Sequence, residues 1–140
     1  MTARLGLALH VLLAVGGCAA TRPAPRTPAT VLSFPSELPA DAALGLARNT
    51  LRRSGWPVEA VVGDSLATGW RETAAGPIRL TISAATVDGG ASTVVRIHGE
   101  VRVDGEGVSA ARPDVPDAAA WAVVEAAAQH VGAEVRYARP

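Results

Sequence analysis

Few side chains in this 140-residue protein could do chemistry, and its single cysteine, Cys18, has the clearest assignment. Its thiol follows a basic start, Met1 to Arg4, and an apolar run, Leu5 to Val15, broken only by His10. Small residues then lead in, as Val15-Gly16-Gly17-Cys18. A charged start, an apolar stretch of about 7–15 residues and a small-residue approach form a secretory signal and not a membrane span. A lone thiol in an oxidising compartment has no disulfide partner and would be a liability, which acylation would remove. The plainer alternative is a chance cysteine behind an ordinary signal.

The other reactive types are scattered. His10 falls inside the signal, His98 on the outer face of an expected strand, and His130 near the end of an expected helix, where a cation suits the dipole. Two isolated histidines without a cysteine do not make a metal site. Ser65 lies in a turn with no nucleophile-elbow motif around it. Asp64 and Glu72 could be drawn as an acid–base pair, but among thirteen carboxylates such a pair is easily invented and solvation explains both. Gly89 and Gly90 lack the following helix of a phosphate loop and read as hairpin residues. The expectation is therefore no catalytic residue, no metal and no cofactor, hence a non-enzymatic protein.

A set of polar residues on alternating strand positions carries more. Arg79, Arg96, His98 and Arg102, with Glu100, are expected to line one face of a sheet. The plain reading is the wet side of a half-covered sheet; the functional one is a face that docks a partner protein or a cell-wall polymer. Trp56 and Trp70 divide in the same way, between core and partner anchor.

The four residues ending at Cys18 resemble the bacterial lipobox. That resemblance implies cleavage of residues 1–17 and a Cys18 carrying a diacylglyceryl group and an amide-linked chain. One acyl chain holds a protein only marginally, whereas two or more hold it stably. Ala19 replaces the aspartate that marks inner-membrane retention, which points to the periplasmic face of the outer membrane. Residues 18–30, with Pro23, Pro25 and Pro28 and no large apolar side chain, are expected to be a disordered tether. At about 3.1 Å per residue it would reach roughly 35–40 Å.

Residues 31–140 have the size of one domain. Its ten arginines against thirteen acidic residues leave a formal charge of −3, which argues against nucleic acid as a partner. Thr30 to Phe34 is β-prone and is expected to stop at Pro35. Pro39 to Arg53 has a helical stripe of Ala40, Ala43, Leu44, Ala47 and Leu51, with Gly55 as its stop. Val58 to Val62, a turn at Gly63-Asp64-Ser65, and Leu66 to Glu72 form either a kinked strand or a hairpin. Ile78 to Val87 and Ser92 to Val103 alternate around the turn Asp88-Gly89-Gly90. A loop over 104–116 precedes a helix that starts near Pro116 and ends at Gly132, with Val135 to Tyr137 as a tail.

The order strand, helix, strands, helix predicts an α+β two-layer sandwich: an antiparallel sheet of three to four strands with both helices on one face. The expected core is Leu44, Ala47, Leu51, Trp70, Leu80, Ile82, Val95, Ile97, Trp121 and Val124.

The helix ending in Ser54-Gly55-Trp56 and the strand Thr93-Val94-Val95-Arg96-Ile97 resemble the helix-grip domain of the C-type lipoprotein of the outer-membrane barrel-assembly machinery. The pattern also recurs in small bacterial lipoproteins of uncharacterised function. The resemblance implies a membrane-anchored periplasmic accessory that binds another cell-envelope protein, held to the bilayer through Cys18. The alternative is a small-ligand carrier, since such folds can open a cavity between helix and sheet. The alanine-rich helix faces argue for close packing instead.

Overall fold

The computed structural model describes residues 29–114 and 118–140. In chain order the elements are β1 (Leu32–Ser36), α1 (Ala40–Arg53), β2 (Val58–Val62), β3 (Ser65–Thr68), β4 (Arg71–Thr73), β5 (Gly76–Val87), β6 (Ser92–Val103), β7 (Gly107–Ala110) and α2 (Ala119–Tyr137). Cys18, the signal, nearly all of the tether and the expected helix start at Pro116 and Asp117 lie outside the described residues.

All strand pairs are antiparallel, in the order β1-β6-β5-β3-β2, with β4 beside β5 and β7 beside β6. The two twelve-residue strands, β5 and β6, are the spine; β3 and β4 line up end to end beside β5, β1 and β7 beside β6, and β2 pairs with β3. The class is α+β, but the expected three to four strands are too few: the sheet has seven. Two signals were weak. β7 lies inside the expected loop, where Gly105 and Gly107, both at positive φ, turn the chain back so that Glu106 N–H reaches the Val103 carbonyl at 3.1 Å. β1 runs through Pro35 instead of stopping there, because an edge strand can spare the amide that proline lacks.

Both helices cover one face. α1 buries Ala43, Leu44, Ala47, Thr50 and Leu51, while Asp41 in its first turn and Arg52 and Arg53 in its last suit the dipole. Its end is a Schellman motif: Gly55 has φ of 79°, its N–H bonds the Arg52 carbonyl at 3.1 Å, and Trp56 N–H bonds the Leu51 carbonyl at 2.9 Å. The motif folds Trp56 back under the helix, where it is buried. α2 does not stop at Gly132 but runs on to Tyr137, so the expected tail is its last turn. Gly132 serves close packing: a Cβ there would overlap the Phe34 ring of β1. Gly99 of β6 makes the same room for Val124 of α2. Ser36 Oγ then donates to the Val135 carbonyl at 2.7 Å, tying the end of α2 to β1.

Between sheet and helices lie Leu51, Leu66, Ile78, Leu80, Ile82, Val95, Ile97, Val124, Val131 and Val135, all essentially inaccessible. Each contributes about 1.5–3 kcal/mol over its exposed state, so this layer dominates the stability. Trp70, expected in the core, is not in it. It is half-buried on the opposite face, and the reason is a bulge.

Candidate binding faces

Ala67 of β3 pairs with Thr81, but Arg71 of β4 pairs with Ile78. Three residues, Thr68, Gly69 and Trp70, therefore oppose two, Leu80 and Arg79. This is a β-bulge, and the extra residue reverses the inside–outside alternation of everything after it. Unbroken alternation from Leu66 and Thr68 would have sent Trp70 into the core. The bulge sends Trp70 out and turns Arg71 inward, toward the helices. In the gap, Thr68 Oγ1 accepts the Leu80 backbone N–H at 2.9 Å.

On the uncovered face, the four residues singled out from the sequence share one surface on two adjacent strands. Arg79 of β5 stands opposite Glu100 of β6, and Arg79 Nε hydrogen-bonds Glu100 Oε2. His98 stands opposite Thr81, and Arg96 opposite Ser83. Arg96 and Arg102 are exposed. Trp70 joins this set: the guanidinium carbons of Arg79 and Arg102 lie 4.7 and 4.4 Å from its ring centroid. Cation–π contact is worth about 0.5–1 kcal/mol at exposed sites. That is enough to hold two long side chains upright and little enough to give them up to a partner. Glu100, and Glu72 by the alternation of β4, offset two of the three arginines, so the face keeps a single net positive charge in a domain whose net count is acidic.

On the helix side the bulge builds something the sequence reading missed. A cleft of about 580 Å³ opens between the end of α1, β4 and α2. Leu51 and Trp56 form its apolar wall on one side, and Ala122, Val123, Ala126 and Ala127 of α2 form the other. Ser54, Arg71, Glu72, Thr73 and His130 border it. Arg71 Nη1 donates to the Ser54 carbonyl at 3.0 Å, filling one of the acceptors left open at the end of α1. Its guanidinium carbon lies 4.9 Å from the Trp56 ring centroid. The alanine stripe of α2, expected to close the packing, instead leaves the space. The available signals were Ser54-Gly55-Trp56, which places an indole at the helix end, and the Gly69-Trp70 step that invites a bulge.

The remaining candidates do not assemble into a site. Ser65 Oγ donates to Asp64 Oδ1 at 3.1 Å within a turn, while Glu72 sits at the far end of the β3–β4 line. His98 and His130 lie on opposite faces of the sheet. Among the described residues, no group of three His, Cys, Asp or Glu side chains could hold a metal, and no helix is long and apolar enough to cross a membrane. Arg112 grips Asp114 through two hydrogen bonds, one of them Nε to Oδ1 at 2.8 Å. That pairing holds the Asp114 carboxyl below its ordinary range and raises the guanidinium further.

No protein-family model matches the chain, and no curated protein matches it. The resemblance to the barrel-assembly lipoprotein therefore rests on the pattern of elements alone.

Proposed function

We propose that this is a non-enzymatic lipoprotein, anchored through Cys18 at the periplasmic face of the outer membrane, whose domain docks another envelope protein on its uncovered sheet face. The observation that carries the reading is the cluster of Arg79, Arg96, His98, Arg102 and Trp70 on that face. An arginine- and indole-bearing surface with one net positive charge on an otherwise acidic domain suits an acidic stretch of a partner, and such charge matching chiefly sets encounter rate and specificity. Arginine and tryptophan are also the side chains most often found at interface hot spots.

The anchor is tested by feeding cells a labelled fatty acid. The wild-type protein takes up label and stays with membranes; Cys18→Ser takes up none and is released or left uncleaved. A labelled Cys18→Ser protein overturns the anchor. Docking is tested with Arg96→Glu and Arg102→Glu together, which leave the core untouched. Loss of a co-purifying envelope protein supports the face, and undiminished capture removes it.

A second reading, a small-ligand carrier, is favoured by the cleft. Its volume lies within the roughly 300–1,000 Å³ of ligand pockets, and two apolar walls face each other across it with polar residues at its border.

A further inference from the structure

We infer that the cleft between α1, β4 and α2 takes a single-chain amphiphile with one anionic head group, its tail along α2 and its head on Arg71. The inference rests on the carrier reading and names the ligand class. It follows from asking which polar groups at the cleft still have hydrogen bonds to give.

Most of them are spent. Ser54 Oγ donates to the Thr50 carbonyl at 2.9 Å, and Ser54's own carbonyl accepts from Arg71. Thr73 Oγ1 donates to the Gly76 carbonyl at 2.7 Å and accepts the Ala75 N–H at 3.1 Å. Glu72 is exposed, pairs across the ladder with Pro77, and by the alternation of β4 departs on the other side from Arg71. What remains is Arg71, with one of its five N–H donors used on Ser54, and the exposed ring of His130. Arg71 forms none of the ion pairs among the described residues. Its plane is fixed by the Trp56 ring and the Ser54 carbonyl, so its remaining edge is preorganised to hold a carboxylate without further loss of side-chain freedom.

The rest of the wall is apolar. Leu51 and Trp56 face Ala122, Val123, Ala126 and Ala127, and the small side chains of α2 leave a channel that larger ones would fill. An apolar channel ending at one fixed cation matches an alkyl chain ending in one anion. A neutral chain would leave the Arg71 donors to water, and a doubly charged ligand would have to bury charge against alanine and leucine.

The test uses the mature Cys18→Ser chain, residues 18–140, which carries neither lipid nor the apolar signal, titrated with dodecanoate and with dodecanol below their aggregation limits. Binding is read by calorimetry and by amide shifts. Dodecanoate should bind with shifts on Leu51, Trp56 and Ala126, and dodecanol at least tenfold more weakly. Arg71→Gln should erase that tenfold preference, and Ala126→Trp, which fills the channel from an exposed position on α2, should abolish both. Equal binding of the two probes to the unsubstituted cleft overturns the head-group assignment while leaving the carrier reading standing. Binding of neither, or binding that Ala126→Trp leaves unchanged, overturns both.

Discussion

Thr68 Oγ1 accepts the backbone N–H of Leu80 at 2.9 Å inside the core, at the one place where β5 faces a bulge instead of a regular ladder. One buried hydroxyl thus supports the register change that sends Trp70 to the open face and Arg71 to the cleft. Thr68→Val keeps the shape but strands the Leu80 N–H. An unsatisfied buried donor costs about 1–3 kcal/mol, and denaturant unfolding should show a loss of that size. Trp70 fluorescence should also change, because its support is lost; an unchanged midpoint and spectrum would mean the bulge stands without Thr68.

Gly132 separates two opposing effects. An alanine gains about 1 kcal/mol of helix propensity over glycine, but overpacking a core costs about 1–3 kcal/mol. The added Cβ would run into the Phe34 ring, which is pinned between β1 and α2, so overpacking should win. Gly132→Ala is expected to lower stability, and Gly132→Ala with Phe34→Leu should recover part of the loss. A stabilised single variant would mean that β1 can move off α2.

At Gly55 the constraint is the backbone itself. An L-residue at φ of 79° costs roughly 1–2 kcal/mol, with open space around the missing Cβ. Gly55→Ala should destabilise by about that amount through strain alone. It should also disturb the cleft, since Trp56 is delivered by this cap. Chemical shifts of Arg71 and Ala126 would report the disturbance.

Asp114 should titrate below the ordinary aspartate range, chiefly through its hydrogen bonds from Arg112. The folded-state pKa is depressed, so any stabilisation from the pair is present above the unfolded-state value and disappears as pH falls through the folded one. Asp114 is exposed and Arg112 partly so, and salt should therefore weaken the effect. Carboxyl NMR should show Arg112→Gln returning Asp114 to its usual range; an unmoved titration would deny the pairing in solution.

Much of the architecture was legible because periodicity is a local property. The apolar alternation of Ile78, Leu80 and Ile82, and of Val95 and Ile97, identified the sheet's covered face, and Gly55 marked the end of α1. What escaped depends on two segments meeting. The bulge at Thr68 to Trp70 exists only relative to β5, so alternation counted along one strand assigned Trp70 to the wrong side and gave no reason to look at Arg71. Gly132 was read as a helix stop because the Phe34 ring it accommodates lies far away in the sequence. The face bearing Arg79, Arg96, His98 and Arg102 needed only alternation, and its surface was legible; the cleft needed the bulge and was not.

The proposal that stands or falls first is docking of an envelope protein at the uncovered sheet face. A photoreactive residue is placed at position 81, 83 or 94, outward neighbours of His98 and Arg96, in the full-length protein in its own cells, with Gln129 on α2 as the control position. The expected result is one envelope protein crosslinked from the three sheet positions and not from position 129, its yield falling at least fivefold when salt is raised or when Arg79 is changed to Glu. Equal crosslinking from position 129, or none from the sheet face, would contradict it.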